Sequence, residues 1–296
     1  LIDVNTVAQD GMRIRASAAG DSFRREAKLA EHLADAKKHV ATLNEEIAMN
    51  PQKLSARRKQ ARLRAATEKQ TRLEQALENV RVIAKGREAR KKGDGQNARA
   101  SSTDPESRRM KMSDGGTRPA YNGQFVTDVP SGIIVAVDAS NACNDSHQLV
   151  PMMKETERNL GRKPKAVLAD GGYNTKSNVF WAANSEITIY TPVKDMKKQI
   201  AEGKDPYAPH KGDTPAMIAH RTRMKLEESQ TLYRLRGESA EWTNARARKC
   251  GLYMLNVRGK EKVRATLVLV VLVINLIRAE KLRQLKKREY ADALSS

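Results

Sequence analysis

Residues 165–173 constrain the fold of this chain more than any other stretch of its sequence. They read Lys-Ala-Val-Leu-Ala-Asp-Gly-Gly-Tyr, an apolar run followed by one acid and two glycines. The apolar run after Pro164 predicts a short buried β-strand, and the glycines predict a tight turn at its end. Asp170 would then lie at the C-terminal edge of a strand, where open α/β sheets bind ligands and metals. Because Asp before Gly is also common in simple turns, Asp170 is a site residue only if the chain supplies partners for it.

The charge of the chain points to a polyanionic partner. Its 296 residues have a formal net charge of +20, and the pI is near 10.0. Such an excess of Lys and Arg is typical of proteins that bind nucleic acid. Only 4% of the residues are aromatic, which disfavours base stacking on single strands and favours phosphate contacts with a duplex.

Neither a disulfide framework nor a membrane span is predicted. The two cysteines, Cys143 and Cys250, form no metal-binding pattern, which fits a reducing cytoplasm. The most apolar run, residues 267–274, is far below the ~20 residues of a transmembrane helix and predicts a buried core helix. The chain begins without Met in the strand-like residues 1–4, which suggests that an upstream region is missing from this sequence.

The first hundred residues change from strand to helix periodicity. Residues 1–22 alternate between apolar and polar, which predicts an antiparallel strand pair or one bent strand with its break at Asp10-Gly11. Residues 23–100 predict two helices in an antiparallel hairpin, with Asn50-Pro51 as the cap and first turn of the second. The basic surface of the hairpin is either solvated or in contact with DNA phosphates. The predicted heptad positions are Leu29, Leu33, Ala36, Val40, Leu43 and Ile47, then Leu63, Ala66, Gln70, Leu73, Leu77, Val80 and Ala84.

The rest of the chain alternates between strands and helices. This order predicts a mixed sheet with helices packed on it, an α/β fold. The predicted strands are residues 120–127, 133–137, 165–169 and 187–193. The predicted helices run from Asp145 to a C-terminal Gly161 and over residues 178–184, 217–226, 233–249 and 263–288.

Carboxylates from three different elements are candidates for one site. A strand-end acid on a basic protein without a Cys/His cluster favours Mg²⁺, which prefers oxygen ligands. A two-metal site of this kind catalyses phosphodiester chemistry. Besides the strand-end acid, the candidates are Asp10 and one acid on the Arg-rich helix, either Glu238 or Glu241. Glu241 shares a helix face with Asn244 and Arg248, but spacing alone does not exclude Glu238.

Residues 233–248 carry a resemblance to a known family. They read Tyr-Arg-Leu-Arg-Gly-Glu-Ser-Ala-Glu-Trp-Thr-Asn-Ala-Arg-Ala-Arg and resemble the Tyr-Arg-Glu-Lys signature of the DDE transposases of bacterial insertion sequences, with Arg248 in place of the usual Lys. Leu-Ala-Asp-Gly-Gly-Tyr around Asp170 is similar to the second-Asp motif of these enzymes. Asp10-Gly11 and the residues after it are similar to the first-Asp strand of the branch that carries a helical insertion. Further similar segments are residues 104–122, 257–264 and 274–278.

The resemblance implies an RNase H-like mixed sheet flanked by helices, with an inserted antiparallel helical hairpin. The catalytic domain would comprise residues 1–22 and 101–296, and the hairpin insertion residues 23–100. A DNA-binding region would precede the chain. The implied catalytic and metal-binding residues are Asp10, Asp170 and Glu241. The residues implied to contact transposon-end DNA or the catalytic Glu are Tyr233, Arg236 and Arg248.

The implied activity is Mg²⁺-dependent cleavage of DNA strands at transposon ends, followed by strand transfer. Two Mg²⁺ ions are expected, with Mn²⁺ as a substitute. The expected partners are double-stranded DNA, as terminal repeats and target, and a second copy of the chain, in the nucleoid region of a bacterial cytoplasm. Two alternatives stay open: an inactive transposase remnant that only binds DNA, and an RNase H-like nuclease that acts on RNA–DNA hybrids. The basic hairpin disfavours the nuclease, which does not need one.

Overall fold

The computed structural model describes residues 2–49 and 55–295 and confirms the predicted α/β fold class. Asn50 and Pro51, the predicted cap and first turn of the second hairpin helix, lie outside the described residues. No helix in the described part of the chain has the length and apolar character needed to cross a membrane.

The chain packs as two compact units. The sheet unit comprises residues 1–14, 122–253 and 263–296. The hairpin unit comprises residues 15–121 and 254–262. The bounds of these units differ from the predicted division into a split catalytic domain and an insertion, and that division stays a prediction.

Strands and helices follow one another along the chain as listed by their bounds. The strands are β1 (Thr6–Arg15), β2 (Phe23–Arg24), β3 (Ala100–Ser101), β4 (Arg108–Lys111), β5 (Thr117–Asp128), β6 (Ile134–Ser140), β7 (Ala166–Ala169) and β8 (Thr188–Tyr190). The α-helices are α1 (Glu26–Met49), α2 (Ala56–Arg90), α3 (Leu149–Leu160), α4 (Lys176–Asn184), α5 (Met196–Ala201), α6 (Pro215–Lys225), α7 (Glu227–Arg236), α8 (Trp242–Lys249) and α9 (Lys260–Ser295).

The parallel strands of the sheet unit bring two predicted site residues to one edge. β1 pairs in parallel with β7, and β7 pairs in parallel with β8. Gln9 of β1 lies opposite Ala169 of β7, so the next residues, Asp10 and Asp170, lie side by side where β7 ends. On its other side β1 neighbours β5, which pairs antiparallel with β6.

Alternate residues of β1 and β7 face two different layers of the sheet unit, because side chains alternate along a strand. Val7 and Val167 are buried in a core that includes side chains of α3 and α4. Ala8 and Leu168 are buried on the opposite face, where they pack with Ala240 from the segment between α7 and α8. Coverage on both faces explains why β7 is an uninterrupted apolar run.

The hairpin unit contains the predicted antiparallel helices α1 and α2. Glu26 pairs with Arg81 at 2.7 Å, and Lys37 pairs with Glu74 at 3.8 Å, so the α2 number falls as the α1 number rises. Short pairings β2–β3 and β4 with the first part of β5 complete the unit. Its buried core contains Leu29, Ala36, Leu73, Ala76, Val80, Ala98 and Ala100.

Two predictions about strands and helix starts need correction. β1 is a single strand of 10 residues that continues through Asp10-Gly11, so the predicted strand pair is wrong. Gly11 lies in the strand for another reason: side chains from neighbouring elements occupy the space of a Cβ there. The helix predicted from Asp145 begins only at Leu149, as α3.

Two predicted helices also differ in the structure. The helix predicted over residues 233–249 is interrupted by a π-helical turn, Gly237–Glu241, between α7 and α8. In α9, the buried core helix predicted at residues 267–274 is wrong for one of its faces. Leu267 and Ile274 are buried, whereas Leu272 is 53% exposed.

Candidate active site

Asp170 occupies the end of β7 with its orientation fixed by the turn that follows. Its Oδ1 accepts a hydrogen bond of 2.8 Å from the backbone N–H of Gly172 and caps the short 3₁₀ turn Gly171–Tyr173. The turn role expected for an Asp before Gly is therefore present. The same turn aims the carboxylate at the sheet edge, beside Asp10.

Asp10 is the most heavily contacted acid at this edge. Its Oδ2 accepts a hydrogen bond of 3.0 Å from the Asn244 side-chain amide, and its Oδ1 lies 3.4 Å from an Arg236 guanidinium nitrogen. Burial raises the pKa of Asp10; the Arg236 guanidinium opposes this, and the Asp170 carboxylate adds to it. Two acids thus share one partly buried space with a cation.

The π-helical turn between α7 and α8 explains how two side chains of one helical segment both reach Asp10. Arg236 and Asn244 are eight residues apart, which in a regular α-helix turns them about 80° away from each other. One extra residue in a π turn reduces this angle to about 20°. The irregular turn therefore aligns a guanidinium and an amide on the same carboxylate.

Tyr233 belongs to the same cluster. It lies one turn before Arg236 on α7 and is partly buried. Burial raises the pKa of the Tyr233 hydroxyl; Arg236 lowers it, and the Asp170 and Asp10 carboxylates raise it further. Tyr233 and Arg236 are therefore close to the paired acids, as residues that touch a ligand at this edge must be.

The two competing acids of the π turn, Glu238 and Glu241, are both exposed. Glu241 is the last residue of the turn and lies three residues before Asn244, on the adjoining helical turn. Arg248, in the last turn of α8, is also exposed. Within residues 2–49 and 55–295, no three Asp, Glu, His or Cys side chains lie close enough to hold one metal ion. The structure thus brings Asp10 and Asp170 together, and the predicted triad stays a prediction.

A third carboxylate at this edge, Asp145, was missed by the sequence reasoning. Its Oδ1 accepts hydrogen bonds of 2.6 Å from the Asn122 amide and 2.7 Å from the Gln124 amide. The Arg13 guanidinium lies 4.0 Å from its other oxygen. Asp145 and Gln124 lie over the backbone of Gly11, where a Cβ would collide with them. The available signal was the pair of amides spaced two apart within the apolar strand β5, which requires a polar partner on that face.

A buried hydrogen-bond network continues from Asp145 to the turn after Asp170. The Tyr173 hydroxyl donates to Gln124 Oε1 at 2.6 Å, and the Gln9 amide donates to the same oxygen at 3.1 Å. Burial raises the pKa of Tyr173 well above its usual value, as does the nearby Asp145 carboxylate. Tyr173 therefore stays a neutral donor. The network links β1, β5 and the Asp170 turn, and so fixes the positions of both acids.

The comparisons with known proteins agree with this geometry. A family model described as a transposase DDE domain matches residues 93–276. The matched region contains Asp170 and Glu241 and begins after Asp10. Searches of curated proteins and of solved structures give no match.

Proposed function

Since this chain belongs to the family of transposase DDE domains, we propose that it cleaves DNA strands at transposon ends and joins the 3′-hydroxyl to target DNA. The observation that carries the proposal is the parallel register of β1 and β7, which sets Asp10 beside Asp170. The helical segment that carries Glu241 is tied to the same place by the hydrogen bond from Asn244 to Asp10.

Asp10, Asp170 and Glu241 are the proposed metal ligands. Carboxylate oxygens are the donors that Mg²⁺ prefers, and the repulsion between Asp10 and Asp170 described above is the kind that a bound cation relieves. Asn244 Oδ1 is a further oxygen at this place, buried without a hydrogen-bond partner. Two Mg²⁺ ions, or Mn²⁺ in their place, would supply activation of the attacking hydroxyl and stabilisation of the leaving oxygen.

The chain's own residues have distinct proposed roles around these acids. Arg236 balances the charge of Asp10 in the absence of DNA, and Asn244 holds the carboxylate in place. Tyr233, between the acids and Arg236, would contact the end of the DNA. Exposed Arg248 would bind a phosphate by its planar fork of donors, without the compact ammonium of Lys.

Duplex DNA is the proposed substrate because the net charge of +20 favours a polyanion. The basic hairpin helices would add sequence-independent phosphate contacts. We therefore expect affinity for duplex to fall steeply as salt increases, through release of condensed counterions. A homodimer would hold the two transposon ends.

The test is cleavage and strand transfer on a labelled duplex that carries the terminal repeat, with Mg²⁺ or Mn²⁺. Asp170→Asn and Glu241→Gln should each abolish both reactions and leave duplex binding within about twofold, because binding uses phosphate contacts elsewhere. Glu238→Gln is the matched control on the same turn and should retain activity. Cleavage that survives Asp170→Asn would contradict the proposal. Activity lost in Glu238→Gln and kept in Glu241→Gln would reassign the third ligand.

A DNA-binding protein without cleavage activity is the second candidate. It is favoured by the contacts of Asp10, whose two oxygens are already engaged by Arg236 and Asn244, and by the exposure of Glu241. The same assay separates the candidates, since this protein would bind the duplex with salt-sensitive affinity and leave it uncut with either metal.

A further inference from the structure

Helix α9 is firmly attached to the sheet unit through one face. The Asn275 side chain accepts a hydrogen bond from Ile134 N and donates one to Ile134 O, so it closes a two-bond contact with β6. Arg278 donates to the Ser131 carbonyl at 2.6 Å. Leu267 and Ile274 are buried on this face. The rotation of the helix about its axis is therefore fixed, and so is the face that it turns outward.

The outward face of α9 is aliphatic. Its centre contains no charged residue from position 265 to position 277. A helix that is apolar all round is normally buried all round, and monomers rarely expose a continuous apolar patch larger than a few hundred Å². We call this the α9 aliphatic face; its residues and exposed fractions are Val268 43%, Leu269 63%, Leu272 53%, Val273 48%, Leu276 62% and Ile277 58%.

We propose that the α9 aliphatic face is covered by the same face of a second copy of this chain. A chain with a net charge of +20 repels its own copies, and this uncharged face is a place where two copies meet without opposing like charges. Nucleic acid or an acidic protein has no favourable contact with such a face. Six aliphatic side chains at about half exposure present several hundred Å² per copy, so a two-fold pair approaches the roughly 1,000 Å² of a specific interface.

The two helices pair antiparallel. The C-terminal half of α9 is basic, and a parallel pair would bring these cations side by side; an antiparallel pair sets each basic half at the opposite end. Antiparallel pairing also opposes the helix dipoles. Leu272 lies at the middle of the face, so a two-fold axis brings the two Leu272 side chains together. The basic residues of this half are Arg278, Lys281, Arg283, Lys286, Lys287 and Arg288.

This pairing deepens the homodimer that the proposed function includes, but its test needs neither DNA nor metal and fails independently of cleavage. The mass of the full chain is measured by sedimentation across micromolar concentrations. The native protein should be a dimer, and Leu272→Asp should weaken association at least tenfold, because it sets two carboxylates at the two-fold axis. Leu226→Asp changes the same residue type at 54% exposure outside α9 and should remain dimeric. A native monomer, or a dimer unaffected by Leu272→Asp, would overturn the proposal.

Cysteine cross-linking tests the antiparallel direction. The two exposed native cysteines, Cys143 and Cys250, are first replaced by serine. Leu272→Cys should then form a disulfide dimer under mild oxidation. Leu285→Cys, on the same helix at 43% exposure, should not, because antiparallel pairing separates the two copies of this residue by roughly 40 Å. Equal cross-linking at both positions refutes antiparallel pairing, and adsorption of a monomer to lipid vesicles through this face refutes the second copy as its occupant.

Discussion

The buried histidine of α6, His220, predicts a specific loss of stability in acid. Its side chain is completely buried, and its Nε2 lies 3.1 Å from the Thr191 hydroxyl. Its Nδ1 has no hydrogen-bond partner among the described residues. Burial, with the nearby charges of Arg223 and Arg221, lowers the pKa of His220 to about 4. In the unfolded chain its pKa returns to about 6.5.

The sign and size of the effect follow from proton linkage. Between pH 6.5 and pH 4 the unfolded chain binds a proton at His220 that the folded chain does not, so the free energy of unfolding falls as the pH falls. A pKa difference of about 2.5 corresponds to about 3 kcal/mol. Above this window the residue is neutral in both states, and below it the residue is protonated in both, so the contribution stays constant outside the window.

Urea denaturation at about pH 7 and about pH 4 measures this contribution. His220→Gln keeps a polar group for Thr191 but does not titrate, so it should lose about 3 kcal/mol less stability between the two pH values than the native protein does. His147→Gln, at an exposed histidine, is the control and should follow the native protein. If His220→Gln has the same pH dependence as the native protein, the linkage argument is refuted.

Two further substitutions test the packing described above by urea denaturation. Asp145→Ala leaves the Asn122 and Gln124 amides without their acceptor and should lower the free energy of unfolding by about 1–3 kcal/mol; an unchanged value would show that water replaces the carboxylate. Leu29→Ala empties a fully buried position between the hairpin helices and should cost about 2–5 kcal/mol, whereas Val82→Ala, at an exposed position on α2, should change stability by less than about 0.5 kcal/mol.

The parts of the fold that the sequence predicts are those whose signal is local. Apolar residues three and four apart predict α1 and α2, and their burial confirms the hairpin, with Leu29 and Leu73 in its core. The short apolar run before Asp170 predicts β7, which extends over Ala166–Ala169. Length and period distinguish helix from strand in both cases without knowledge of the tertiary structure.

The break predicted at Asp10-Gly11 was wrong because a glycine has more than one use. In a sequence, Asp-Gly between alternating residues is typical of a hairpin turn. In the structure Gly11 instead makes room for the side chains of Asp145 and Gln124, which come from distant parts of the chain. Only the tertiary structure distinguishes a glycine needed for a turn from one needed for close approach.

Asp145 was missed for a similar reason. Asp-Ser-His before an apolar run resembles the start of a helix, and this local interpretation was sufficient by itself. Its actual partners, Asn122 and Gln124, lie more than twenty residues earlier on β5. They do carry a signal, since two amides spaced two apart in a buried strand need a common polar partner. The signal does not say which acid that partner is.

The helix that carries Glu241 shows where local periodicity fails at a site. Face assignments over residues 233–249 assume 3.6 residues per turn throughout. They hold from Glu241 to Asn244 and Arg248, which α8 leaves undisturbed, but not across the π turn. There the angle between Arg236 and Asn244 shrinks by roughly one residue's rotation, and this change lets both side chains reach Asp10. A π turn has no intrinsic sequence preference to detect and is held in place by packing, here of Ala240 against Ala8 and Leu168. The irregularity that assembles the site is therefore a property of the folded sheet.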